Sequence, residues 1–484
     1  MAAGLLVFIV FVVLFLLYHL VYKRWGLPPG PLPLPFYGNV IALNRSRRWE
    51  FQFLDWKRKF GAIYTYWVGE LPIVSVNDYR LCVRLFVEQA DAFADRCAPE
   101  HFLRYTREGA VSGVIFTSGH LWQDQRRFAL RVIKDFGYNG KELQEKILDE
   151  LRTVIENVNE EIEAGVEEFD LHRHTDVAVG SIISNLLFGL RFTKENKDEF
   201  YRLKRRTTQI ISSFSDPITN VARFNKFFFD LTHFYSKRVI EAFGDVYQFL
   251  DKHIQEHLGH GICEQPHDFV DAFFAEREKL ERTGGNTAAF YTIPQLKGMG
   301  FDIFFAGQET TSSTITWILA FLITHPEAQK KLHEELDRVV GSERMITVAD
   351  KPQLYFLQAA NIFSQNVLRE ASRDVEIDGI SIKKGTCIIP QLSAIHYDPE
   401  VFPQPEEFRP ERFLDAEGKF KKIPELIAFS LGETMARMEL FLFIGNLLNH
   451  YELLPATVPP KLERFPTPGA NAMGAYKCRV RRRF

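Results

Sequence analysis

The chain has 484 residues, 46% of them hydrophobic and 25% charged, and a formal net charge of −3. That balance is ordinary for a globular protein, long enough to bury one large core or two, and it gives no reason to expect nucleic acid as a partner. The 44 phenylalanines imply a thick aromatic core, a lipophilic cavity, or both, and the five scattered cysteines do not make a disulfide framework.

From Met1 to Tyr22 there is no Asp, Glu, Lys or Arg, and "LLVFIVFVVLFLLYHLVY" is apolar for long enough to span a bilayer. A cleaved signal peptide would begin with basic residues. Here Lys23 and Arg24 follow the apolar run, which predicts an anchor with the rest of the chain, and its reduced thiols, on the cytosolic side. "GLPPGPLPLPFYGN", Gly26 to Asn39, cannot continue a helix and predicts a stiff spacer. The expected layout is a membrane anchor over 1–25, a proline-rich hinge over 26–39 and one large body over 40–484.

"AIYTYWVGELPIVSVND" (Ala62–Asp78) predicts two strands with a turn at Gly69–Pro72. From about Tyr79 to Val339 the spacing of apolar residues is helical, as in "ELQEKILDELRTVIENVNEEIEAG". Ile293–His325 is the longest apolar stretch of the body, too polar at its centre to cross a membrane, and predicts a core helix. Pro326 opens a new amphipathic helix. Beyond Asp350 short strands and a proline-punctuated meander are expected, then a last helix from about Glu433 to Asn449 and short C-terminal strands. The basic end, Lys477 to Arg483, reads as a solvated tail. The fold class expected is mainly α with a small β region.

Three constellations carry chemistry. Trp122 and Arg126, four apart in "WQDQRRFAL", share one helix face, where an indole N–H and a guanidinium grip a carboxylate; a surface Arg covering an aromatic ring is the plainer alternative. In "AGQETTSS", Gly307, Glu309, Thr310 and Thr311 interrupt a greasy helix. A buried acid must be hydrated, paired or neutralised, and hydroxyls can bond a carbonyl one turn back. Together they suit a helix that opens to hold a small polar molecule and relay protons, against the alternative of a tight helix crossing. Arg412, after the turn proline of "FRPERF", reads as a clamp on backbone carbonyls or a carboxylate.

Over nearly its whole length the sequence resembles the microsomal cytochrome P-450 monooxygenases of animals. The resemblance rests on "LPPGPLPLPFYGN", "WQDQRRFAL", "NLLFGLRF", "AGQETTSS", "DGISIKKGTCIIPQLSAIHYDPEVFPQPEEFRPERFL" and "ARMELFLFIGNLLNHYELLP", in that order. It implies the P-450 fold and a haem b between the long central helix and the last one. It also implies electrons from NADPH through a reductase, and insertion of one oxygen atom of O2 into a lipophilic small molecule at the endoplasmic reticulum membrane. Trp122, Arg126 and Arg369 would hold a haem propionate, Ala306, Gly307 and Phe429 would line the cofactor, and Glu309 and Thr310 would relay protons.

The chain departs from the family at two places. The ligand loop of the family reads F-x-x-G-x-x-x-C-x-G. Here Phe429 and Gly432 match its start and "GETMARMELF" its end, with about six residues, the cysteine among them, missing between. No metal ligand is therefore assigned: Cys387 lies in a strand-like segment, Cys82, Cys97, Cys263 and Cys478 lie far away, and Met435 and Met438 read as core filler. The helix bearing E-x-x-R is also absent from "DKPQLYFLQAANIFSQN", and Glu370 and Arg373, though correctly spaced, sit against a strand. A mis-spliced and inactive version of a monooxygenase is the expectation, and a pseudoenzyme that binds a lipid or protein partner without oxidation is the alternative. Specificity is expected in Ala98–Val114 and Arg202–Phe234.

Overall fold

The computed structural model describes residues 2–45, 49–136, 140–213, 216–261, 263, 265–359, 368–421, 423–426, 434–463 and 473–484. An apolar N-terminal helix, Ala2–Leu20, carries no charged residue before its last turn and leaves most of its apolar side chains uncovered. The proline-rich stretch that follows is no free strut. Thr65 N–H donates to Pro29 O (2.9 Å), Asn39 N–H to Trp67 O (2.8 Å), and Leu34 and Gly38 bond each other. Gly30 makes the approach possible, because a Cβ there would lie 1.8 Å from the Thr65 carbonyl oxygen. Lys23 completes the docking with a 3.0 Å ion pair to Glu70, whose other oxygen accepts from Phe36 N–H.

The strands are β1 (Ile63–Val68), β2 (Leu71–Val76), β3 (Arg369–Glu370), β4 (Val375–Ile377), β5 (Ile380–Ile382), β6 (Cys387–Pro390), β7 (Tyr451–Pro455) and β8 (Cys478–Arg482). They form one sheet in the order β1-β2-β6-β3 and two hairpins, β4-β5 and β7-β8. The β1–β2 turn is tighter than its prolines suggest: Pro72 lies inside β2, opposite Trp67, leaving Gly69 and Glu70 to turn. The β2–β6 pair is parallel, so the sheet joins the two ends of the body.

The central helix, Ile293–Thr324, starts under Thr292, whose hydroxyl accepts from Gln295 N–H, with Pro294 in its first turn. It stops at His325, the residue before Pro326, where helical φ/ψ is disfavoured. Around it pack the helices Leu171–Phe188, Lys197–Ser213, His233–His260 and Thr434–His450. Its first half enters an aromatic cluster, Phe301 and Phe304 with Phe243, Tyr247, Phe269 and Phe273. Its second half enters an aliphatic one, Ile315, Ile318 and Leu322 with Leu440, Phe443 and Ile444. Buried phenylalanines are densest in the first of these clusters and recur in the second, and the architecture is mainly helical with small sheets.

The basic C-terminus is not a solvated tail. It is strand β8, and its arginines are matched: Arg481 with Glu452, Arg482 with Glu163 and Arg483 with Asp337. Along β8 Cys478 is buried while Arg479, Arg481 and Arg482 are exposed, which a charge count alone does not reveal.

Replacing Gly30 by alanine forces the proline stretch off β1. The full chain in detergent should lose about 2 kcal/mol of stability, read as a lower denaturant midpoint at unchanged slope; an unchanged midpoint would mean the stretch is not held there.

Candidate functional site

A stripe of the central helix stays uncovered inside the body. Ile303, Ala306, Thr310 and Ser313, spaced to fall on one face, are partly or fully exposed while Phe304, Gln308 and Thr311 are buried. Along this stretch the hydroxyls bond backward as expected: Thr310 Oγ1 donates to Ala306 O at 2.7 Å, and Thr314 Oγ1 to Thr310 O at 2.7 Å. Gly307 serves the crossing with the helix Leu171–Phe188, since a Cβ there would meet Ile183 Cδ1 at 2.6 Å.

Glu309 does not point at that stripe. Its carboxylate faces the helix Lys197–Ser213, where Lys204 Nζ lies 3.2 Å away and the hydroxyls of Thr207 and Thr208 donate at 3.1 and 3.4 Å. Lys204 also pairs with Asp176 (3.0 Å), which takes His172 Nε2 at 3.1 Å and the Ser312 hydroxyl. His172 Nδ1 in turn meets Thr316 Oγ1 at 2.7 Å. Burial pulls the Lys204 ammonium down, but the two carboxylates outweigh it and hold its pKa above the ordinary value. The result is a continuous polar seam beside the open stripe, ending at the partly exposed His172.

A second seam fixes the loop over the first half of the helix. Asp302 and Arg107, both 1% exposed, form a 2.6 Å ion pair, and the other Asp302 oxygen accepts from Val114 N–H (2.7 Å) and Ile115 N–H (2.8 Å). Gln295 holds Gly113 from both sides at 3.0 Å. This loop is part of the segment expected to set specificity, and its backbone is pinned.

Where the sequence places the carboxylate grip, like charges gather instead of opposite ones. Trp122 and Arg126 do share a face of the helix Gly119–Asp135, with the Arg126 guanidinium 5.5 Å from the indole centroid. Arg96, which sequence reasoning missed, lies over the same ring at 5.6 Å. Arg369, on β3, donates to Phe93 O at 3.1 Å. Burial, then Arg369 and Arg126, push the Arg96 pKa down to about 10; burial, then Arg126, lower that of Arg369. Arg96 Nε and Nη1 and Trp122 Nε1 are buried and bond nothing among the described residues. Buried donors without acceptors, on cations that repel one another, make a site built for an anion. The carboxylate end of a porphyrin fits it.

The iron end does not. No cysteine stands between Cys387 and Cys478, the span leading into the final helix, Thr434–His450. Burial pushes the Cys82 and Cys478 thiols up to about 12 and Cys387 well above its ordinary value, the reverse of what a thiolate ligand requires. Met435 and Met438 pack against the aliphatic core. Phe429, Gly432 and the stretch 360–367 lie outside the described residues, so both expected gaps do as well. Glu370 lies in β3 and Arg373 pairs with Asp91 (3.4 Å), apart from Arg412, which clamps the carbonyls of Pro403, Gln404 and Glu407.

The model of the family Cytochrome P450 matches residues 28–473. The chain belongs to the cytochrome P450 family. It is 30% identical to cytochrome P450 2E1 of Oryctolagus cuniculus over 467 residues, covering 92% of this chain and 90% of the relative. Cytochrome P450 2F3 of Capra hircus and cytochrome P450 2G1 of Oryctolagus cuniculus are each 29% identical, covering 93% and 92% of this chain and 91% of either relative. Membership brings haem iron and monooxygenase chemistry on lipophilic molecules at the level of the family. In this P450 chain, the final helix also meets the central one through Glu439, 1% exposed, which takes a hydrogen bond from Thr311. Burial pushes its carboxyl up to about 8, so it is protonated at neutral pH.

Removing Asp302 strands a buried guanidinium. Asp302→Ala should cost about 3–5 kcal/mol of unfolding free energy, and a loss below 1 kcal/mol would show that water reaches Arg107. For Glu439 the native state holds a proton that the unfolded chain releases above its ordinary value of 4.5. Stability from this residue therefore falls as pH rises from about 4.5 to about 8. Glu439→Gln should flatten that decline, seen by comparing denaturant midpoints at pH 5 and pH 8; parallel profiles for variant and parent would refute it.

Proposed function

We propose that this protein derives from a membrane-anchored monooxygenase that inserts one oxygen atom of O2 into a lipophilic small molecule. We propose further that the chain as its sequence stands keeps the cofactor cradle without performing the oxidation. One observation carries this: buried donors on Arg96 and Trp122, unmatched among the described residues, persist in a sequence that has no cysteine between Cys387 and its final helix.

In this scheme residues 1–25 anchor the chain as a single span in the endoplasmic reticulum, 26–39 join anchor to body, and 40–484 form the cytosolic body. The open stripe at Ala306 and Thr310 and the cradle at Arg96, Trp122, Arg126 and Arg369 would hold one planar dicarboxylate cofactor between them. When ligated by a thiolate, haem iron supplies dioxygen activation, with electrons from NADPH delivered by a reductase. The chain's own contribution is to hold the carboxylates, to exclude bulk water with the pinned loop Glu108–Thr117, and to keep a proton-bearing seam at Glu309. Thr310 is poised to donate into the stripe once its bond to Ala306 O is exchanged. The two shortened stretches beside intact motifs support a message that lost internal segments. The complete seam around Glu309 favours a second reading, a protein that binds a lipid without oxidising it.

The deciding experiment combines haemin titration of the full chain with the spectrum of the reduced, carbon monoxide-treated protein. Haemin should bind, and Arg96→Ala with Arg126→Ala should weaken binding tenfold or more, roughly 1.5–3 kcal/mol for each charge-assisted bond lost. The red-shifted band of thiolate-ligated carbonyl iron should be absent. Appearance of that band would overturn the loss of activity, and haemin binding indifferent to both arginines would overturn the cradle.

A further inference from the structure

The two halves of the cradle meet at a pair of thiols. The loop Ala92–Cys97 lies along β3: Glu370 N–H donates to Asp95 O (2.9 Å) and Ser372 N–H to Ala92 O (2.8 Å). Glu370 in turn stands opposite Cys387 in the β3–β6 register, and Arg369 opposite Ile388. Cys97, two residues past Asp95, is thereby set over Cys387. Both thiols sit in one buried cluster with Tyr64 and Tyr66, Cys97 at 8% and Cys387 at 1% exposure. Of the other three cysteines, Cys82 and Cys478 are buried in separate clusters and Cys263 lies in the connection after His260.

We propose that Cys97 and Cys387 are a site of reversible oxidation by hydrogen peroxide, forming a disulfide that ties the Arg96 half of the cradle to the Arg369 half. The more exposed Cys97 attacks one peroxide oxygen; its S–H bond and the O–O bond break, an S–O bond forms, and one water leaves. The Cys387 sulfur then displaces that hydroxyl, which departs as a second water with the Cys387 proton. Two thiols lose two electrons and one peroxide gains them. Burial and the neighbouring Cys97 keep Cys387 a thiol, which suits it to the second step rather than the first. A cytosolic disulfide of this kind is transient, formed under oxidant and reversed by small thiols. The inference depends on the positions of β3, β6 and the Arg96 loop, and holds whether or not the chain binds haem.

The test treats the full chain in detergent with stoichiometric hydrogen peroxide, blocks remaining thiols under denaturing conditions, and maps peptides by mass spectrometry without reduction. The expected product is a Cys97–Cys387 linked peptide, lost in Cys97→Ser and in Cys387→Ser, kept in Cys263→Ser, and reversed by dithiothreitol. The unfolding midpoint of the oxidised parent should rise by a few degrees, as a long loop is closed. Recovery of Cys97 and Cys387 as separate alkylated peptides, in a sample where Cys263 has been oxidised, would overturn the proposal. So would linkage of either residue to another cysteine. Should either serine variant fail to fold, the peptides of the oxidised parent chain decide between these outcomes by themselves.

Discussion

Every ionised group on the buried central helix must meet an opposite charge, and the partners come from three other parts of the chain. Lys297 is held by Glu108 and Asp251, Asp302 by Arg107, and Glu309 by Lys204. Leaving any of them alone in an apolar core costs more than a typical single interaction provides. The helix therefore cannot be placed without also placing the turn at Arg107 and Glu108, the helix Lys197–Ser213 and the helix His233–His260. That requirement, more than apolar packing, fixes which walls surround the open stripe at Ala306.

The cradle obeys the opposite rule. Arg96, Arg126 and Arg369 repel one another, and the donors of Arg96 and Trp122 face no acceptor among the described residues. A protein tolerates such an arrangement where a ligand supplies the missing negative charge. Burial raises the Cys82, Cys387 and Cys478 thiols, so none of these three is suited to serve as a thiolate.

Much of the fold was legible because it is periodic or punctuated. Pro326 and the apolar run before it located the central helix to within a residue, and the Gly69 turn located the first hairpin. Trp122 and Arg126 were legible because four residues make one helical turn. Arg96 was not, since it reaches the same ring from a loop with no period of its own. Lys204 and Asp176 escaped for the same reason, their meeting being tertiary. A cue did exist for Asp176 and Glu439: each is the single acid in an otherwise unacidic helix, Leu171–Phe188 and Thr434–His450. The basic C-terminus misled because charge density says nothing of which acids stand opposite its arginines in the fold.

The stitching of the proline stretch to β1 has a mechanical outcome. With Pro29, Gly38 and Lys23 all tied to the first hairpin, almost no slack lies between the apolar helix and the folded mass. A body so closely tethered cannot swing freely about its N-terminal helix. The direction in which that helix leaves the body is chosen beforehand by a hairpin of fourteen residues, Ile63–Val76.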